Sequence, residues 1–299
     1  MEAISLQARG RSRRRLVENR VAVAVAVLAA LFAVAMLGIL VGSVLARARG
    51  ALSSELFTRG PAVFGQAGGG IAPAFVGTSI LIGIATAIAL PVGVLVAIYV
   101  NEFARKRVAR QVKLWLDVLN GFPSIVIGIF VFELAVAAKV PLIGIGHHQS
   151  AWAGGFALSI IMVPLVSRTT IEVLALVPRE LREASYALGV SKWRTVTSVV
   201  LPTAIGGIVT ATTLAVARAA GETAPLLFTC SIFGQVVSTN PNGSLASVPV
   251  IIFEYSESPD RNLNAQAWAA AFVLIAFVLV TSLAARVVLE RSRRKLGRV

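Results

Sequence analysis

Long apolar runs alternate with short polar or glycine-rich stretches along the whole chain, and the runs have the length of membrane spans rather than of core helices. The first extends from Val21 to about Leu45, roughly 25 residues, longer than a signal-peptide core and long enough to cross a bilayer with some tilt. Gly60-Pro61 and Gly68–Gly70 then punctuate a linker, since these residues break helices and favour turns. A second run, Phe75 to Val100, contains Pro91, which removes one helical hydrogen bond and predicts a kink. Arg105, Lys106, Arg107, Arg110 and Lys113 are interleaved with Val108, Leu114, Trp115 and Leu116, the pattern of a helix lying along a membrane surface.

Asn120-Gly121-Phe122-Pro123-Ser124 opens a third span, to about Ala138; proline is well tolerated in a first helical turn. The fourth span runs from Trp152 to Val166, with a continuation past Arg168 into Leu176 left open, and the fifth from Ala204 to Leu227. A polar loop carrying Asn240-Pro241-Asn242-Gly243 and Ser258-Pro259-Asp260 precedes the last span, Ala267 to Val288. The Val248–Phe253 run is too short to cross and predicts a short element in that loop. The expectation is an all-α, polytopic membrane protein of six transmembrane helices. It has a basic arm (1–20), a first span (21–45), a core (72–288) with a polar loop at 178–202, and a basic tail (289–299).

Composition sharpens this class. The chain is 57% hydrophobic and 14% charged, against about 25% charged residues in soluble domains. Its net charge of +14 would suit nucleic acid if the basic residues lined one folded face. They sit instead at the ends of apolar runs, which excludes that partner. Basic residues gather at Arg9–Arg20, Arg105–Lys113, Arg168–Arg194 and Arg286–Arg298, whereas Arg47, Arg49, Arg59, Lys139 and Arg261 are thinly spread. The positive-inside rule then places both termini in the cytoplasm. Cys230 is the one cysteine, so no intrachain disulfide can form.

Two intramembrane charges stand out. Counting from Ala204, Arg218 lies roughly 20 Å into the fifth span, where a charge is expensive and marks a functional position by default. Glu222 follows at i+4, on the same helical face. A neutralised packing pair is the other reading of the two. Glu133 in the third span is a second candidate partner for Arg218. Arg168 and Glu172 repeat the i,i+4 spacing in the fourth span, either as an inner pathway element or as a snorkelling pair. Thr223 and Ser124 offer hydroxyls, though such groups commonly bond their own backbone. His147-His148 lack a third ligand, so no metal site is expected. No phosphate-binding loop of the G-x-x-x-x-G-K-[ST] type and no nucleophile–base constellation occurs, so the chain is not expected to be an enzyme or its own ATPase.

The loop from Val177 to Pro202 is too polar to enter lipid. Pro178 opens a helix with Glu180 and Glu183 near its start, where acidic residues are favourable. Leu181, Ala184 and Leu188 form an apolar stripe and Gly189 is placed to end the helix. Ser191-Lys192-Trp193-Arg194 then starts a second helix that returns towards Leu201-Pro202. Such a hairpin either docks another protein or lies on lipid.

Its residues resemble a family. Glu183-Ala184-Ser185, three residues, Gly189, nine residues, Val199, one residue and Leu201-Pro202 are similar to the EAA loop of ABC-importer permeases, with Ser185 and Val199 as small departures. Ala217-Arg218-Ala219-Ala220-Gly221-Glu222-Thr223-Ala224-Pro225-Leu226-Leu227 and Gly121-Phe122-Pro123-Ser124-Ile125-Val126-x-Gly128 further resemble the A-subunit (PstA) family of phosphate-specific permeases, from about Gly77 onward.

The resemblance implies a type I importer permease fold in a bacterial plasma membrane. Its partners would be a sister permease (the C subunit), a dimer of ABC ATPases that binds ATP and Mg, and an extracytoplasmic phosphate-binding protein. Glu183, Ala184, Ser185, Gly189, Leu201 and Pro202 would couple the chain to the ATPase. Arg218, Glu222 and Thr223, with Arg168, Glu133 and Ser124, would line the phosphate pathway. An importer of sulfate or molybdate, an ion-coupled secondary transporter and a signalling subunit are the alternatives.

Overall fold

The computed structural model describes residues 11–62, 68–134, 149–230, 234 and 236–296; the expected pair His147-His148 lies outside them. Regular structure among the described residues is entirely helical. The chain divides into two compact units, Met1–Arg47 and Ala48–Val299. The first is built on one helix, α1 (Arg11–Ala48), of 38 residues. At 1.5 Å per residue it is about 57 Å long, well beyond the ~30 Å hydrocarbon core of a bilayer. Its basic N-terminal turns therefore have room to stand in water.

The second unit holds α2 (Glu55–Thr58), α3 (Ala72–Ile98), α4 (Lys106–Gly121), α5 (Ser124–Phe132), α6 (Ala151–Ala175), α7 (Arg179–Ala187), α8 (Lys192–Thr195), α9 (Leu201–Ala220), α10 (Ala224–Thr229), α11 (Val248–Ser256) and α12 (Arg261–Leu296). α6 is its centre: 61% of its apolar stretch is buried, against 33% or less for the other long helices. Helices in an apolar medium associate by close packing more than by the hydrophobic effect, so small residues mark their contacts. Ala85 and Ala89 of α3 and Leu158, Met162 and Val166 of α6 accordingly share one buried cluster. At Gly93 of α3 an added Cβ would stand 2.8 Å from Val166 Cγ1. α3 continues unbroken through Pro91 and ends in a π-helical turn, Tyr99–Phe103.

The third span differs from expectation. It is two helices, α4 and α5, bent by 91°. Phe122 precedes Pro123, whose ring disfavours helical backbone in its neighbour; both residues are extended, with ψ of 135° and 128°. The helix must therefore stop at Gly121. α4 is amphipathic as its spacing predicts, yet it does not simply lie on a surface: Leu116 is buried beside Ala97, Val100 and Ile171. Among the described residues five helices are long and apolar enough to cross a membrane, six if the bent pair counts as one span. The segment in which the third span was expected to end, 135–138, lies outside the described residues.

The fifth span also breaks early. α9 ends at Ala220 with Gly221 as its cap, and α10 begins at Ala224. Pro225 has no N–H to give to the Gly221 carbonyl, so a continuous helix to Leu227 would leave that acceptor unpaired. α6 does run through Arg168 to Ala175. The short run from Val248 becomes α11, with Val248, Pro249, Val250, Ile251 and Tyr255 buried and the Val248 N–H donating to Thr78 Oγ1 at 2.8 Å.

α5 meets α10 at Gly128, where an added Cβ would lie 2.6 Å from Pro225 Cα and 3.2 Å from its carbonyl oxygen. Backbone cannot yield as a side chain can. Gly128→Ala should therefore lower stability by about 1–3 kcal/mol, a typical overpacking cost. Gly83→Ala, which meets nothing within 4 Å, should leave it nearly unchanged. Thermal unfolding of both variants in detergent, followed by tryptophan fluorescence, checks the difference.

Candidate functional site

The corner between α4 and α5 gathers the charges that the apolar helices carry. Asp117 and Asn120 stand three residues apart near the end of α4, on one face of that helix. Arg168, from α6, reaches Asp117: its Nη1 lies 3.1 Å from each carboxylate oxygen. Its Nε is 3.5 Å from Glu172 Oε1, one turn along α6. Arg218, from the last turn of α9, donates from Nη1 to Asn120 Oδ1 at 3.4 Å. Its Nε is 3.8 Å from Glu222 Oε1. Two arginines on two helices thus meet successive turns of a third, each with a glutamate at i+4.

The two rungs are alike in exposure but differ in their partners on α4: Arg168 is ion-paired with Asp117, whereas Arg218 meets a neutral amide. Neither guanidinium is sealed in: Arg168 is 43% and Arg218 47% exposed, while Glu222 is 18% exposed. A guanidinium carries five donors in a planar fork. Arg218 uses one of them on a long bond to a neutral amide, and its carboxylate neighbour stands beyond hydrogen-bond range. The position at the C-terminal end of α9 adds a favourable helix-dipole term for a cation. The arrangement can hold a tetrahedral oxyanion by two parallel N–H···O bonds, and the adjacent carboxylates oppose its retention.

The other expected pathway residues divide. Glu222 follows the Gly221 cap, and Thr223 precedes α10, its carbonyl accepting from Leu226 and Leu227. Ser124 begins α5 across the corner from Asn120 and is half-buried. Glu133 does not join them. It stands nine residues beyond Ser124, about 13.5 Å along the helix; it is exposed and makes no ion pair among the described residues. Among the described residues the polar partners of Arg218 are Asn120 and Glu222; the 91° corner sets α5, beyond whose last turn Glu133 stands, on a different course from α4.

Sequence reasoning missed Asp117 and Asn120. A signal existed: Asp117 is the one acidic residue in the otherwise basic and apolar α4, three residues before an amide that abuts a Gly-Phe-Pro break.

The polar hairpin forms a second feature. Pro178 is the N-cap of α7, and Gly189 adopts φ +76° between α7 and α8, a left-handed conformation that suits glycine. Glu183 and Ala184 are exposed, as are Leu181 (42%) and Leu188 (83%), so much of the apolar stripe stays open at the surface. Ser185 turns inward and shares a 2.9 Å hydrogen bond with Thr195. Leu201 and Pro202 begin α9, Leu201 partly buried and Pro202 exposed. The hairpin presents Glu183 and Ala184 outward and uses Ser185 to hold itself together.

Comparison with known proteins agrees with this architecture. Residues 89–294 match the model of the "Binding-protein-dependent transport system inner membrane component" family. A phosphate transport system permease protein PstA of Yersinia pestis is 39% identical over 277 residues, covering 92% of this chain and 91% of that protein. PstA 1 of Mycobacterium tuberculosis (strain ATCC 25618 / H37Rv) is 40% identical over 232 residues, 77% of this chain and 73% of that one. Among solved structures, a bacterial ABC transporter involved in import of the acidic polysaccharide alginate aligns with TM-score 0.60 at 14% identity, over 94% of this chain and 96% of that one. The MetNI methionine ABC transporter, in an inward-facing form, aligns with TM-score 0.56 at 20% identity, over 74% and 94%. At these identities the likeness is one of fold, the helical fold of ABC-importer permeases. With a family match over most of its length and relatives near 40% identity, the chain belongs to the inner membrane components of binding-protein-dependent transport systems.

Proposed function

We propose that this chain is a membrane-spanning permease subunit of an ATP-driven importer that carries inorganic phosphate into the cell. One observation carries the substrate: two half-exposed arginines, Arg168 of α6 and Arg218 of α9, meet successive turns of α4, and the bond that Arg218 makes there is a long one to a neutral amide. Moving a phosphate anion through an apolar layer requires donors and positive charge in exchange for water. Arginine stays charged and fits two oxygens at once. The relatives near 40% identity bear the name of phosphate permeases, which supports the same substrate. Glu222 and Glu172 weaken the hold of each site by repulsion, as conduction requires: binding must be strong enough to admit the ion and weak enough to release it. Thr223, next to Glu222, and Ser124, at the start of α5, would add hydroxyl donors.

The energy comes from a partner. ATP and its magnesium bind a separate ATPase dimer, which docks on the exposed face of α7 around Glu183 and Ala184. Ser185 and Gly189 shape the hairpin, and Leu201 and Pro202 start the helix that carries its movement to Arg218. A sister permease completes the pathway on the side where the arginines are open, and an extracytoplasmic binding protein delivers phosphate. The distribution of basic residues supports a cytoplasmic position for both termini and the hairpin, in a chain that crosses the bacterial plasma membrane several times.

Arg218→Ala should leave the transporter assembled but reduce phosphate uptake at least about tenfold, the equivalent of one lost charge-assisted contact. Arg218→Lys should recover part of it, since charge remains but the fork is gone. Uptake of labelled phosphate in cells, with co-purification of the ATPase, measures both, and excess sulfate should not compete. Normal transport by Arg218→Ala would mean that the charged pair only packs. Glu183→Lys should instead release the ATPase or abolish its coupling while the chain itself stays folded; normal transport with the ATPase bound would refute the docking surface.

A further inference from the structure

One ionic contact of the second unit lies outside both sites and is far more enclosed than either. Arg182 of α7 is 14% exposed and Glu102, in the π-helical turn that ends α3, is 6% exposed. Arg182 donates to Glu102 Oε1 from Nη2 at 2.9 Å and from Nε at 3.3 Å. It also donates from Nη2 to the Leu174 carbonyl at 2.9 Å and from Nη1 to the Val177 carbonyl at 2.6 Å. The two carbonyls belong to the end of α6 and the turn after it, where helical acceptors are incompletely satisfied; that of Leu174 also accepts from the Val177 N–H at 3.3 Å. One guanidinium therefore ties three elements together: α3 through Glu102, α6 through its terminal carbonyls, and α7, which carries it.

Little else holds α7. Ser185 is its one buried residue, and it bonds α8; the apolar side chains of α7 face outward. The end of α3 grips the other arm of the hairpin too. Phe103 lies against Trp193 with ring centroids 6.4 Å apart, and Lys192 Nζ stands 5.0 Å from the Phe103 ring centroid. A π-helical turn inserts one residue into the helical register, and here that turn brings Glu102 to α7 and Phe103 to α8. Asn101 supports the carboxylate, donating to Glu102 Oε1 at 3.3 Å.

We infer that the Arg182–Glu102 contact is the joint through which movement of the hairpin drives α3, so that α3 moves with α6 and α9 when the ATPase acts. The inference rests on the reading of the hairpin as the ATPase-docking element, and it adds a transmission route that does not pass along the chain from α7 to α9. α3 packs along α6, so a pull at Glu102 reaches the helix beside Arg168. Both residues are positioning residues: neither touches substrate or nucleotide. A buried pair of this kind is poor evidence for net stability, which leaves a mechanical role as its distinctive consequence.

The test uses the whole transporter in lipid nanodiscs, with Glu102→Gln and Arg182→Gln variants. Hydrogen–deuterium exchange is followed in segments 99–103 and 179–190, with and without ATP. In the wild type both segments should change on ATP binding. In Glu102→Gln the hairpin segment should still respond while the 99–103 segment does not. Phosphate moved per ATP hydrolysed should fall about fivefold or more, the usual lower range of coupling effects, with the ATPase still bound. An ATP response of segment 99–103 that persists in both variants would overturn the joint. So would a parallel fall of uptake, hydrolysis and melting temperature, which marks a merely structural pair. Uptake by the wild-type complex is read separately, so failure of phosphate transport itself would count against the proposed function and leave the exchange result standing.

Discussion

A charge among apolar helices must find a polar partner on a neighbouring helix or remain near water, because the medium supplies none. The second unit obeys this constraint at three places. Arg168 meets Asp117, Arg218 meets Asn120, and Arg182 meets Glu102. The first two pairs are open, that of Arg218 also loosely bonded, and the third is enclosed. That contrast separates a surface ready to exchange partners from a joint built to keep them. Where the guanidiniums stay half-exposed, an anion can take the place of the protein acceptors at small cost. Where the guanidinium is enclosed, breaking the pair would strand a buried charge.

The open pairs depend on a corner that has nothing to do with charge. Proline at 123 forces Phe122 out of helical conformation, α4 stops at Gly121, and its last turn carries Asp117 and Asn120 to the arginines of α6 and α9. A straight third span would have carried the chain past this point with different faces turned inward. The break between α9 and α10 acts likewise, leaving Arg218 in a terminal turn with Glu222 just beyond the cap. Gly128 and Pro225 then let α5 and α10 approach closely on the far side of both breaks. Local backbone chemistry sets the geometry, and the charges use it.

Small residues do the corresponding work in the packing. α6 can lie at the centre because Ala153, Gly154, Gly155 and Ala157 let its neighbours come near on several sides, and close contact is the main attraction available between helices in lipid. A central α6 puts Arg168 and the Leu174 carbonyl on the same rigid rod, so the open site and the closed joint share one element.

Much of the architecture was legible in the chain alone, because apolar length, prolines, glycines and basic flanks act locally. The long apolar runs, the helical hairpin with its Gly189 stop, and the i,i+4 spacing of Arg218 and Glu222 all follow from interactions within a few residues. The motif spacings carried the resemblance to importer permeases for the same reason. Partners across helices were not legible. Nothing in the sequence near Arg168 points to Asp117, fifty-one residues earlier, and Glu133 was as reasonable a partner for Arg218 as Asn120 until the corner at Pro123 turned it away. Arg182 read as one more charge in a polar loop, although Glu102 lies eighty residues before it. Which charges meet depends on the directions in which packed helices point, and only the tertiary structure decides that.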